Sequence, residues 1–176
     1  MTERKENWDI QTLRRFGKWS EPNVPHKDWF CVAEFDALDE YGALIDCEMC
    51  EKQSIRFVHL MENARYDGQL KCGCVCASHM SGDRNTAELR EKRMRSRATR
   101  KRAFPKRKGW KVSARGNPNI KADGVHIVIT HNRNGEFRIG SRNAWEKDFT
   151  GGSEGYATSE EAKVTAFEIY DKLRVV

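Results

Sequence analysis

A chain of 176 residues with 38% hydrophobic and 33% charged side chains has room for one ordinary domain or two small ones, and at 10% aromatic it is not composed like a disordered segment. The opening MTERKENW has no apolar run of signal length, and no stretch approaches the roughly 18 apolar residues of a membrane span, so a cytoplasmic protein with no membrane partner is expected. The net charge of +6 is uneven: residues 84–108 carry 12 basic and two acidic side chains, a net +10, whereas the rest carries 20 basic and 24 acidic, a net −4, which points to a polyanionic partner for the basic block.

Taken in chain order, residues 1–26 are polar, with Ile10, Leu13 and Phe16 at helical spacing, and predict a short docking helix followed by a loop containing Pro22 and Pro25. Asp28 to Asp36 reads as a strand, and the DEYG at 39–42 as a turn. Ile55 to Met61 reads as a buried strand, with Ile55, Phe57 and Met61 in the core and Arg56 and His59 beside a metal, while Asn63 to Gly68 supplies a turn. Two cysteine groups flank this strand. In a reducing compartment six cysteines favour metal ligation over disulfides. Cys47-x-x-Cys50 and Cys74-x-Cys76 give two close thiolate pairs for one tetrahedral Zn²⁺ of the closed, structural type. Cys72 is the substitute, since Cys72, Cys74 and Cys76 alternate, and His59 or His79 has workable spacing to replace a thiolate. Residues 1–83 are therefore expected to form a small zinc-ribbon-like module with an inserted hairpin.

The run CEMCEKQSIRFVHLMENARYDGQLKCGCVCASHM resembles a pattern of bacterial and phage-associated proteins of no assigned function, CxMC followed by IRxVHxM and GCxCAxxM. The resemblance covers about 35 of 176 residues. It implies a zinc-bound module with Cys47, Cys50, Cys74 and Cys76 as ligands, and supplies no activity. Asn63 departs from it at a position where the pattern tends to carry a His, which argues against that position as a general metal ligand.

Asn85-x-x-Glu88 satisfies capping-box logic for a helix from Thr86 to about Phe104, ended by Pro105. Its apolar stripe of Ala87, Met94 and Ala98 is narrow, so most of its surface is expected to face solvent or a ligand. Arg90, Arg93, Arg97 and Arg100 fall along one side, and Lys106, Arg107 and Lys108 extend the charge into the linker. Residues 84–108 are thus the basic helix and linker, and the arginine stripe is the expected contact for nucleic acid phosphates.

Residues 109–176 predict three strands, Trp110 to Ala114, Val125 to Thr130 and Phe137 to Ser141, with a hairpin turn at HNRNG and a final helix capped by Thr158 or Ser159. Ala162, Ala166, Ile169 and Tyr170, with Phe167 beside them, form the apolar face of that helix. The expected fold class is α+β, with this three-stranded antiparallel sheet lying on one helix. The topology, and the helix entry YATSEEAKVTAFEIYDKL, resemble AP2 and phage-integrase arm-binding domains, whose sheet face enters the major groove. That likeness implies nucleic-acid contacts from Lys111, Arg115, Arg138 and Arg142.

These elements predict a zinc-stabilised accessory protein that binds DNA or RNA, of phage or prophage kind. Two other functions compete. A metal-dependent nuclease would draw on His59, His126 or His131, but there is no HExxH, no recognisable HNH spacing and no pair of catalytic carboxylates. An adaptor would use zinc to stabilise a docking surface and its basic helix to meet an acidic protein.

Overall fold

The computed structural model of the chain describes residues 9–174, and its contacts divide the chain into two compact units that meet between Ala98 and Thr99. No helix among the described residues is long and apolar enough to cross a membrane.

The first unit opens with helix α1 (Ile10–Leu13) and a 3-10 turn (Gly17–Ser20), which bury Leu13 and Trp19. Strand β1 (Phe30–Asp36) follows, and then α2 (Ala37–Tyr41) where a simple turn was expected. The short helix forms because Asp36 accepts a hydrogen bond from the Leu38 amide at 3.0 Å, and it stops at Gly42, whose φ of 71° suits the left-handed C-terminal position. A two-stranded ribbon, β2 (Ile45–Asp46) with β3 (Ser54–Ile55), carries the first cysteine pair at its tip. The expected buried strand is β4 (Phe57–Glu62), central in the antiparallel order β1-β4-β5, where β5 is Gln69–Cys72. Phe57, Val58, His59 and Met61 are all buried, so β4 is covered on both faces. Arg56 is drawn away from any metal by Asp36, to which it donates two hydrogen bonds from Nε and one from Nη2 at 2.8–3.1 Å.

Helix α3 (Cys74–Ser81) begins directly after Gly73, and α4 (Arg84–Ala103) begins after Asp83. Asp83 Oδ1 accepts from the Thr86 amide at 3.0 Å, so the cap lies two residues before the expected Asn85. Pro105 ends α4 as expected, within a 3-10 turn at Phe104–Lys106. The core of the first unit gathers Leu13, Trp19, Trp29, Met49, Val58, Met61, Leu70 and Met80. Burial of such a side chain stabilises by about 1.5–3 kcal/mol.

The second unit corrects the expected three strands to five, antiparallel in the order β10-β9-β8-β7-β6. Here β6 is Lys111–Val112, β7 Pro118–Ala122, β8 Val125–His131, β9 Phe137–Asn143 and β10 Thr150–Gly151. β7 is the real addition. It pairs with β8 through a two-residue turn in which Asp123 and Gly124 both have positive φ, 50° and 76°, the backbone of a type I′ hairpin. Pro118 and Asn119 open β7 itself. Helix α5 (Ser159–Leu173) is capped by Thr158, whose Oγ1 accepts from the Glu161 amide at 3.1 Å. Its Ala162, Ala166, Phe167 and Tyr170 meet Ile120, Val125, Ile127, Ile129 and Ile139 from one face of the sheet. Phe104 completes this core, stacked on Tyr170 at 4.7 Å between ring centroids and edge-on to Trp110. Trp110 is thus an anchor for the sheet.

Candidate metal centre and basic surfaces

The sulfurs of Cys47, Cys50 and Cys76 all lie within 4.8 Å of one another, and the three residues are fully buried. A tetrahedral zinc with Zn–S bonds of about 2.3 Å needs sulfurs about 3.8 Å apart, so the trio fits a metal such as zinc. Local backbone geometry builds the knuckle. The Cys47 amide donates to the Gln53 carbonyl at 2.8 Å, the Glu51 amide donates to the Cys47 carbonyl at 2.7 Å, and Glu51 takes a φ of 55°. Trp19 Nε1 donates to Cys76 Sγ at 3.4 Å, a support of the kind that orients and tunes a metal ligand. Sequence reasoning misses Trp19 because it lies 57 residues from Cys76.

The start of α3 separates the two cysteines that the sequence paired. A helix turns about 100° per residue, so Cys74 and Cys76 point about 200° apart and do not face one ion together. Cys76 joins Cys47 and Cys50, whereas Cys74, half-buried, gathers with His59 and Glu91 in a second cluster whose ligand atoms also lie within 4.8 Å of one another. Cys72, at the end of β5, is fully buried, and its Sγ donates to Met80 Sδ at 3.6 Å. The neighbouring Cys50, Cys72 and Cys76 sulfurs hold the Cys47 thiol well below its usual range, and Cys47 in turn pushes those three up. A bound divalent cation favours the thiolate form of every ligand.

His59 is fully buried, and neither ring nitrogen has a hydrogen-bond partner among the described residues. Burial lowers its pKa. His79, half-buried on α3, joins neither cluster. Burial and the Glu91 carboxylate push Cys74 up to about 12.

The expected arginine stripe is engaged within the chain. Arg90 and Arg93 reach Glu34 at 3.9 and 3.2 Å, Arg97 reaches Asp39 at 3.5 Å, and Arg100 reaches Asp171 at 3.1 Å. Arg107 donates to the Tyr170 hydroxyl at 3.0 Å and pairs with Asp123, whereas Lys106 and Lys108 are exposed. Acids from β1, α2 and α5 therefore offset much of the block's charge, an outcome its local sequence does not encode.

A different basic surface emerges in the second unit. The pleat sends Ile120, Val125, Ile127, Ile129 and Ile139 toward α5 and the alternate residues to the other face. That face carries Lys111 and Asn119 paired across β6 and β7, and the row Lys121–His126–Arg142 across β7, β8 and β9. Thr130 and Arg138 pair beside them. No carboxylate comes from these alternate positions. Lys111, Lys121 and Arg138 are exposed. Arg142 donates to the carbonyls of Glu146 and Lys147 and lies over Phe149, which meets His126 edge-on. Arg115 is exposed in the β6–β7 turn, and His131 is exposed beside Phe137. Lys121 is the member sequence reasoning missed, because β7 was not recognised.

Comparison with known proteins finds no matching family model, no similar curated protein and no similar solved structure.

Proposed function

We propose that this chain is a nucleic-acid-binding protein in which a zinc ion staples the first unit through Cys47, Cys50, Cys76 and Cys72, and the open sheet face of the second unit meets the phosphate backbone. The observation that supports the binding surface is that the outward strand positions of this sheet carry Lys111, Lys121, Arg138 and Arg142 and no carboxylate. Cations displayed without carboxylate neighbours on a strand-built face are free to release counterions from a polyanion, whereas the paired arginines of α4 must first give up their own carboxylates. Cys72 is chosen as fourth ligand because it is the remaining fully buried cysteine of this unit. Four thiolates leave no position for an activated water, so this ion is structural.

The test measures binding of labelled random-sequence DNA and RNA, single- and double-stranded, over a range of salt concentrations. Lys111→Gln, Lys121→Gln and Arg138→Gln together should lower the salt slope on a duplex by about 2–3. Arg90→Gln, Arg93→Gln, Arg97→Gln and Arg100→Gln together should leave the slope nearly intact. An unchanged slope in the sheet variant, or no binding of any nucleic acid by the parent protein, would reject this surface, and the latter would favour an acidic protein partner.

A further inference from the structure

We propose that His59, Cys74 and Glu91 form a second metal site, separate from the buried thiol cluster, that takes a borderline divalent cation such as Zn²⁺ and leaves one coordination position for a small non-protein ligand. The three donors come from three different elements: mid-strand in β4, the first residue of α3, and the second turn of α4. Their ligand atoms lie within 4.8 Å of one another.

The independent observation is His59. An imidazole with no exposed surface and two nitrogens lacking partners leaves buried polar groups uncompensated, an arrangement that native folds avoid unless something else occupies the site. Glu91 already accepts from Arg95, but among the described residues no group hydrogen-bonds to either nitrogen of the histidine. A cation held among the three would take one imidazole nitrogen, the Cys74 sulfur and a Glu91 oxygen, and so would give a partner to one of the two orphaned nitrogens. Arg95 supports the arrangement from outside by donating from Nε to Glu91 Oε1 at 2.8 Å, the kind of contact that fixes a ligating carboxylate.

The donor set also sorts the cysteines. Cys76 gathers with Cys47 and Cys50, and Cys74, two residues before it, gathers with His59. One nitrogen, one sulfur and one oxygen suit zinc and its neighbours more than calcium or magnesium, and three protein ligands on a four-coordinate ion leave a place for water or an exchangeable anion. This site is independent of the nucleic-acid reading.

Metal analysis of the full-length chain, purified without chelator and equilibrated with Zn²⁺, should give about two equivalents. Glu91→Gln and Cys74→Ala alter half-buried residues and should each reduce the content to about one, as should His59→Phe, which keeps a ring in the core. Cobalt substitution adds a spectroscopic readout: the variants should lose the contribution of a mixed-ligand site and keep that of a thiolate-rich one. About one equivalent in the parent chain, unchanged in all three variants but lost in Cys47→Ser, would overturn the second site and leave the thiol cluster standing. Two equivalents that survive all three variants would overturn it as well. No tightly held metal in the parent chain would remove both sites.

Discussion

Gly17 packs closely against the backbone of the Cys47–Cys50 knuckle. Its φ is 54°, and a Cβ at this position would lie 2.9 Å from the Cys50 carbonyl carbon and from the Met49 carbonyl oxygen. Gly17→Ala therefore meets a left-handed backbone penalty of about 1–2 kcal/mol and an overpacking cost of about 1–3 kcal/mol. Denaturant unfolding of the zinc-loaded chain should show the first unit destabilised by about 2–5 kcal/mol, with faster metal transfer to a chelator. An unperturbed variant would mean that the 3-10 turn does not brace the knuckle. At this scale the sequence revealed the Cys47-x-x-Cys50 pair, because its ligands lie within one local turn. It did not reveal the partition of Cys72, Cys74 and Cys76, which depends on α3 beginning immediately after Gly73.

Among the elements, the β7–β8 hairpin carries a compact polar lock. Tyr170 on α5 donates its hydroxyl proton to Asp123 in the turn and accepts from Arg107. These partners lower the Asp123 carboxyl pKa from 3.8. Because the folded value is the lower one, its stabilisation is complete above the unfolded carboxyl pKa and is lost as pH falls through the folded value. Asp123→Asn should leave the left-handed turn in place, since Asn tolerates positive φ, and should weaken the second unit at neutral pH. Hydrogen exchange at Ile127 and Ile129 should report this difference, which should shrink once pH drops below about 4. A difference independent of pH would rule out the carboxylate as its source. The Asp-Gly pair is itself a strong hairpin signal that would have located β7. Helix α4 was legible as a long basic helix, but the partners of Arg90, Arg93, Arg97 and Arg100 lie on distant segments, beyond the reach of a local reading.

At the scale of the molecule, the contact boundary at Ala98/Thr99 falls inside α4. By sequence alone Phe104 is the last residue of the basic helix, yet it belongs to the core of the second unit. All six cysteines lie in the first unit, so the second, below about 80 residues, must rely on its hydrophobic core without a thiol-bound staple. A fragment of residues 99–176 should fold alone, whereas residues 110–176 should lose about 3–5 kcal/mol with the missing phenylalanine, or fail to fold. Thermal melts of the two fragments decide this, and equal melting would refute the role given to Phe104. Gly73 has a different consequence. A Cβ there would lie 2.8 Å from Ile55 Cγ2, so the joint between β5 and α3 has little freedom to slide. It acts as a reading frame for the alternating sulfurs: inserting one residue after Gly73 would rotate the following side chains by about 100° and misaddress the cysteines, although every ligand would remain in the chain.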